Sequence, residues 1–149
     1  MTKRIIPVAS DHRGFELKAR VLGWLEQNGH EPRDLGAHDT RRCDAMDYAR
    51  AVADELRSDG VDLGVLICGS GQAMAMTANR YRHVFAALCG SVAMARTTRE
   101  HNDANVLCLA SDFTGQDEAL EILQAFLETK FAGGKYAERR DALTALGGL

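Results

Sequence analysis

The stretch Gly64-Val65-Leu66-Ile67-Cys68 constrains the fold most strongly, because it is apolar or small at every residue. A strand without a polar side needs cover on both faces, which is the situation of a strand in a parallel sheet. The turn Gly69-Ser70-Gly71 follows directly, and amphipathic stretches lie on both sides. Residues 63–68 are therefore predicted to form a buried strand of an α/β domain.

Short apolar runs alternate with amphipathic stretches along the chain. The predicted strands are 5–9, 31–35, 63–68, 84–89 and 105–110. The predicted helices are 14–27, 44–57, 72–80, 91–100 and 114–130. This alternation predicts a single domain over residues 1–149, a three-layer Rossmann-like α/β fold with a five-stranded parallel sheet.

Two segments fit this scheme less well. Pro7 lies in the first predicted strand and removes one backbone donor, which argues against a central position for that strand. An extra C-terminal helix is predicted over 136–146, after the Gly133-Gly134 break. Because a five-stranded sandwich has no evident place for it, we expect this helix to pack on a partner subunit.

Composition limits the classes of function. The chain has 149 residues and a net charge of -3, and it lacks the cluster of Lys and Arg that nucleic-acid binding needs. The apolar stretch near the start, about five residues long, is too short for a signal peptide or a membrane span. A cytoplasmic protein without a membrane partner is expected. Cys43, Cys68, Cys89 and Cys108 are widely spaced, which predicts neither a metal site nor a disulfide framework.

The Gly-Ser-Gly turn after Cys68 predicts a ligand loop. It places backbone N–H groups at a helix N-terminus, where they can hold a phosphate or stabilise an oxyanion or enediolate. The same positive field favours the thiolate form of Cys68. Spacing excludes known phosphate loops, because Gly71 is not followed by a Walker lysine and Met74 stands where a dinucleotide fingerprint needs glycine. The plainer alternative is that Cys68 only packs at the end of a strand.

Polar side chains are predicted near two other strands. Ser10-Asp11-His12 follows the first strand, and His101-Asn102-Asp103 is predicted to lie in the short turn before the fifth. Ligands of open parallel sheets collect beyond the carboxyl ends of the strands, so we expect these groups to gather with Cys68. Two alternatives stay open: Asp11 caps a helix, and the His101 segment is a polar turn at a helix C-terminus.

The last helix and the remaining histidines carry weaker signals. The last helix has a cationic face that is either solvated or suited to a phosphate dianion, formed by Lys135, Arg139 and Arg140. Three histidines at predicted helix ends or in loops are expected to be solvated, namely His30, His38 and His83.

Four segments resemble the ribose-5-phosphate isomerase B family, which also contains the galactose-6-phosphate isomerase subunits. They are SDHRGFELK (10–18), LICGSGQAMAMTANR (66–80), REHNDANVL (99–107) and GGKYAERRDAL (133–143), and they share one register from about residue 4 to 146. The resemblance implies a Rossmann-like homodimer, which can pair further into a tetramer, with two active sites shared at the subunit interface. It also implies aldose-ketose isomerisation of a phosphorylated sugar through an enediolate, without a metal or another cofactor.

The resemblance assigns a role to each matching residue. Cys68 would move a proton between C1 and C2, with Ser70 assisting at the substrate oxygens. His101 would open the sugar ring, with Asp11 as its acid-base counterpart. The enediolate would be stabilised by Asn102 and by the loop around Gly69, Gly71, Gln72 and Ala73. The phosphate would face His12, Lys135 and Arg139, and part of the set would come from the partner subunit.

Four positions depart from the family pattern. Ala45 replaces an aromatic residue, Ala73 a glycine, Ala75 a serine and Lys135 an arginine. Ribose 5-phosphate is the expected substrate, and the departures leave open the same chemistry on an allose, galactose or tetrose phosphate. Two other classes also stay open: a non-catalytic sugar-phosphate-binding subunit, and a redox-sensing thiol protein.

Overall fold

The computed structural model describes residues 2–149, which form five strands and six helices. The strands are β1 (Ile5–Ser10), β2 (Glu31–Asp34), β3 (Gly64–Cys68), β4 (Ala86–Leu88) and β5 (Val106–Ala110). The helices are α1 (Phe15–Gln27), α2 (Ala45–Glu55), α3 (Gln72–Ala78), α4 (Val92–Asn102), α5 (Gln116–Glu128) and α6 (Lys135–Ala145). The predicted fold class is confirmed.

The strands form one parallel sheet in the order β2-β1-β3-β5-β4. The chain runs outward from β1 to the edge strand β2 on one side; on the other side it passes from β3 to the edge strand β4 and returns to β5, which lies between them. The direction of winding therefore changes between β1 and β3, and open α/β sheets bind ligands beyond the carboxyl ends of strands at such a point. Asp11 and Cys68 lie at these two strand ends.

The pleat of the strands divides the core into two layers. Ile67 and Leu109 belong to the layer built with α1 and α5, whereas Cys68 and Cys108 belong to the layer built with α2 and α3. Successive side chains of a strand point to opposite faces, so a strand covered on both faces is apolar at every position. Burial of all five residues of β3 confirms the prediction made from its sequence.

Pro7 is accommodated inside the sheet. β1 pairs with both β2 and β3, and the ladder to β3 begins at Val8, one residue after the proline. The expectation that Pro7 speaks against a central strand is therefore wrong. The missing donor precedes the first residue pair with β3, so it interrupts no pair of that ladder.

Helix α6 lies outside the two helical layers and buries none of its residues. It is held to its own chain by Arg140, whose Nε donates to the carbonyl of Asn102 at 2.9 Å and whose guanidinium lies 3.3 Å from the Phe85 ring centroid. Arg140 is thus tied to the end of α4. No helix within residues 2–149 has the length and the apolar character that a membrane span requires.

Two histidines expected to be solvated are held in the structure instead. His30 is buried, and its Nδ1 accepts a hydrogen bond from the Arg4 N–H at 3.2 Å. Burial, followed by the nearby charge of Arg4, lowers the pKa of His30. His83 is half-buried with its Nε2 2.7 Å from the Ala53 carbonyl oxygen. Both rings join segments distant in sequence, which local polarity does not reveal.

Candidate active site

Cys68 is the last residue of β3, and its thiol is held by the loop that follows. The side chain is 4% exposed, and the Gly71 N–H donates to Sγ at 3.1 Å. Gly71 has a φ of 72°, and a Cβ at this position would lie 2.5 Å from Leu88 Cδ1. Only glycine fits this conformation and this space. The position of the amide that donates to the sulfur therefore depends on the glycine.

The rest of the loop leads into α3. The Gln72 N–H donates to the Ser70 Oγ at 3.3 Å, which orients this hydroxyl at the start of the helix. Gln72 and Ala73 are exposed, whereas Gly71 is buried. The backbone predicted to hold an enediolate thus forms a continuous turn beside the thiol.

Asp11 and His12 follow β1 at the same edge of the sheet. The Asp11 Oδ1 accepts the N–H groups of Arg13 at 3.0 Å and Gly14 at 3.1 Å, so it stabilises the turn that leads into α1. His12 Nδ1 accepts the Cys43 N–H at 3.3 Å. A cavity of about 380 Å³ opens next to this contact and is lined by Cys43, Tyr48 and their neighbours. Its size suits a small ligand.

The carboxyl end of β5 contributes residues that the sequence reasoning missed. The Ser111 Oγ donates to the carbonyl oxygens of Arg13 at 3.1 Å and Cys68 at 3.2 Å. The Asp112 N–H donates to the Gly69 carbonyl at 2.9 Å, and its carboxylate pairs with Arg13. Asp11 and Cys68 were selected because they lie at the carboxyl ends of strands. The same rule also selects Ser111 and Asp112, which follow β5.

His101 and Asn102 occupy a different place from the one expected. They are the last two residues of α4 rather than part of a turn, and they precede β5 instead of following a strand. They therefore lie at the amino edge of the sheet, opposite to Cys68. A strand of five residues spans about 16 Å, so these side chains do not meet the thiol of the same chain. The expectation that all three polar groups gather at one edge is wrong.

Helix α6 brings further predicted residues to this second edge. The His101 ring stacks on the Tyr136 ring, with centroids 4.2 Å apart and planes 6° from parallel. The Lys135 Nζ and the Arg139 Cζ lie 5.2 Å and 5.8 Å from the same ring centroid. Tyr136 was not singled out from the sequence, although it gathers three predicted residues around one ring.

The predicted site is thus divided between two edges of the sheet. The cysteine half-site consists of Asp11, His12 and residues 68–73. The histidine half-site consists of His101, Asn102, Lys135 and Arg139. Each contains a titratable group for proton transfer and a group suited to an anion, and neither contains the full set.

Cys89 and Cys108 do not extend either half-site. Burial raises the pKa of Cys89 to about 11 and raises that of Cys108 further, so both thiols stay protonated near neutral pH. In the part of the chain that the structure describes, no group of three or more His, Cys, Asp or Glu side chains is arranged to hold a metal ion.

This fold and this site define an α/β protein with a cysteine loop at the switch point of a parallel sheet. The model of the Ribose/Galactose Isomerase family matches residues 6–143. The chain belongs to this family, and it is an aldose-ketose isomerase of the ribose-5-phosphate isomerase B type. The resemblance carried by the four sequence segments is confirmed.

Individual relatives agree over nearly the whole chain. Ribose-5-phosphate isomerase B of Escherichia coli is 36% identical over 141 residues, which are 95% of this chain and 95% of the relative. A ribose 5-phosphate isomerase of Thermotoga maritima has a TM-score of 0.94 at 40% identity and covers 97% of this chain and 99% of its own. The Mycoplasma genitalium enzyme, solved with bound ribulose-5-phosphate, has a TM-score of 0.92 at 37% identity, covering 98% and 97%.

Proposed function

We propose that this protein interconverts ribose 5-phosphate and ribulose 5-phosphate, with Cys68 as the base. The buried thiol beside the Gly71 amide is the observation that carries the proposal, because a group that moves a proton between adjacent carbons must be held against the substrate. The relative solved with ribulose-5-phosphate supports the choice of sugar.

In this reaction the Cys68 thiolate removes the proton from C2 of the open-chain aldose and returns it to C1. The negative charge of the enediolate develops on the substrate oxygens next to the loop of Gly69, Gly71, Gln72 and Ala73. Ser70 passes the hydroxyl proton from O2 to O1, so that no proton is gained or lost overall. Donors already held in place at the developing charge lower the barrier without reorganisation.

The remaining roles fall to the histidine half-site and to the two residues after β1. His101 opens the sugar ring, with Asp11 as its acid-base counterpart, and Asn102 donates to the enediolate. His12, Lys135 and Arg139 face the phosphate. Since His101 and Cys68 lie at opposite edges of one sheet, the complete site requires two chains.

We therefore propose a homodimer in which each active site combines the cysteine half-site of one subunit with the histidine half-site of the other. Two-fold symmetry generates two such sites from a single contact. Near the histidine half-site, a cavity of about 420 Å³ is lined by Phe85, Leu143 and Leu146 among others. Leu146 is 83% exposed and Leu143 is 45% exposed, and clustered exposed apolar residues mark contact surfaces.

The redox-sensing alternative receives little support from the cysteines. It needs a resolving thiolate near Cys68, and the pKa of Cys108, a neighbour on the same face of the sheet, is raised far above neutral by burial. Cys43 is a free thiol on the β2–α2 connection. A non-catalytic binding subunit, in turn, requires no buried thiol beside a backbone donor.

The proposal is tested with purified protein and a panel of four- to six-carbon sugar phosphates. We expect the highest kcat/KM with ribose 5-phosphate, and a loss of roughly 10²–10⁴-fold in kcat for Cys68→Ala, the range typical of a missing acid-base group. Cys89→Ala, which removes a buried thiol outside the site, serves as the matched control and should keep kcat. Full activity of Cys68→Ala, or strong preference for a hexose or tetrose phosphate, contradicts the proposal.

A further inference from the structure

Arg13 and Asp112 form an ion pair directly over the cysteine loop, and no role has been assigned to it so far. A Cβ on Gly69 would lie 2.7 Å from the Arg13 Nε and 2.8 Å from the Asp112 Oδ2. The two charged groups therefore press against the backbone next to Cys68. The Arg13 side chain is 57% exposed and that of Asp112 38%, so a ligand can reach both.

The backbone of Arg13 is fixed independently of its side chain. Its N–H donates to the Asp11 Oδ1 at 3.0 Å, and its carbonyl accepts from the Ser111 Oγ at 3.1 Å. Ser111 also donates to the Cys68 carbonyl, which links the base of Arg13 to the end of β3. The guanidinium thus extends from a rigid position between His12 and the thiol loop.

The charge balance of the cysteine half-site shows why this guanidinium matters. His12 Nδ1 is engaged by the Cys43 N–H at 3.3 Å, which leaves Nε2 as the ring nitrogen available to a ligand. A phosphate dianion binds strongly to a guanidinium, which is always charged and can donate several hydrogen bonds at once. Arg13, the next residue, supplies that charge. Only its Nη2 is bonded to Asp112, and the other donors of the fork remain for a ligand.

We propose that Arg13 contacts the phosphate of the substrate together with His12, and that Asp112 is a positioning residue that holds the guanidinium over the loop. This inference rests on the proposed function and adds a residue that the resemblance does not assign. Asp112 also reduces the positive charge of the site, so it should weaken phosphate binding while it orients Arg13.

The test compares Arg13→Gln with wild type in KM, kcat and the inhibition constant of inorganic phosphate. We expect both KM and the inhibition constant to rise about tenfold or more, the usual effect of losing a charged hydrogen bond, with kcat within about threefold of wild type. The matched control is Arg20→Gln, which removes a similar exposed pair, Arg20 with Asp117 at 2.9 Å, on α1, the helix that follows Arg13. The control should leave all three values unchanged.

In Asp112→Asn we expect phosphate to bind more tightly, whereas in Arg13→Gln it should bind more weakly. The side-chain amide oxygen of this variant can still accept a hydrogen bond from Arg13, so the guanidinium stays in place. Loss of the negative charge should then lower the inhibition constant of phosphate severalfold, because the repulsion of the anion disappears. If the Arg13–Asp112 ion pair only stabilises the loop, Arg13→Gln should lower kcat and leave KM unchanged. Asp112→Asn should then not bind phosphate more tightly. Either result overturns the proposal.

Calorimetric titration with inorganic phosphate separates this proposal from the proposed function. If wild-type protein binds phosphate but does not turn over ribose 5-phosphate, the proposed reaction is contradicted. The assignment of Arg13 is then tested by the phosphate affinities of wild type and Arg13→Gln alone. Equal phosphate affinity of wild type and Arg13→Gln overturns the assignment of Arg13 even when the enzyme is active. Absence of phosphate binding to wild type overturns it as well.

Discussion

Gly71 connects the chemistry of the loop with the packing of the core at the scale of a single residue. Its φ of 72° and its distance to Leu88 leave no space for a side chain, and its N–H is the donor to the Cys68 Sγ. The same residue therefore holds the turn, packs against the core and donates a hydrogen bond to the thiol.

Replacing Gly71 by alanine should lower both stability and activity. A residue forced into the left-handed region costs about 1–3 kcal/mol, and the contact with Leu88 adds to this. Urea unfolding measures the change. Gly23→Ala is the control, because Gly23 lies within α1 with open space around it. This substitution should stabilise the protein by about 0.5–1 kcal/mol, since alanine favours a helix more than glycine does. Equal behaviour of the two variants contradicts the assignment.

Asp34 holds the buried Lys18, whose Nζ donates to the Asp34 Oδ1 at 2.5 Å and to the Ala37 carbonyl at 2.7 Å. Burial acts to raise the pKa of Asp34, but the hydrogen bonds from Lys18 and the Gly36 amide outweigh it and lower the pKa below its ordinary value. A carboxyl whose pKa is lowered by folding contributes stability above its unfolded pKa, and this contribution is lost as the pH falls through the folded pKa.

Asp34→Asn should therefore reduce the free energy of unfolding at pH 7 by about 1–3 kcal/mol, a range kept low because solvent reaches Asp34. The difference from wild type should begin to shrink as the pH falls below about 4, the ordinary pKa of Asp, and should disappear only below the lowered pKa of folded Asp34. Chemical unfolding at several pH values measures it. Asp39→Asn, which removes an exposed partner of Arg41, should change little at any pH. A difference for Asp34→Asn that is as large at pH 3 as at pH 7 contradicts the prediction.

Helix α6 contributes little to the core of the fold but carries several of the predicted site residues. It buries no residue, yet it carries Lys135 and Arg139 and stacks Tyr136 on His101. Its contribution to the core is small, so its main effect is to orient side chains at the end of α4.

Tyr136→Ala should release the His101 ring and lower kcat about two- to tenfold, since an aromatic pair contributes about 0.5–1.5 kcal/mol. Tyr136→Phe keeps the stacked ring and should remain close to wild type. Steady-state kinetics with ribose 5-phosphate compares the two variants. Equal loss in both would show that the hydroxyl, and not the stacking, is what the enzyme requires.

At the scale of the whole molecule, the two half-sites of one chain are separated by the length of the sheet. Under the proposed function, each active site is then made by a pair of chains. This arrangement makes complementation between two inactive variants possible, because a mixed dimer can contain one site with both half-sites intact.

Cys68→Ala and His101→Ala should each be nearly inactive alone. After joint refolding at equal amounts, about a quarter of wild-type activity should return, since half of the dimers are mixed and one of their two sites is intact. Assay of the refolded mixture measures the recovery, with each variant refolded alone as control. Absence of any recovery would place both residues in a site made by one chain.

The α/β class, the number of strands and the loop after Cys68 follow from the sequence alone. These features rest on local periodicity and on residues adjacent in the chain, such as the apolar run of β3 and the Gly-Ser-Gly turn. The expectation that the residues at the ends of β1 and β3 lie close together also follows from a general rule, because ligands of open parallel sheets bind beyond the carboxyl ends of the strands. Motif resemblance added the family and candidate roles for residues such as His101.

The positions of these residues relative to one another depend on how the chain packs. The order of the strands, the central position of Pro7 and the Arg13–Asp112 pair depend on contacts between distant segments. His101 was placed at the wrong edge because a residue before a strand and one after it look alike in sequence, although the strand separates them in space. Proximity along the chain fixes local conformation, whereas the meeting of distant side chains is decided by packing.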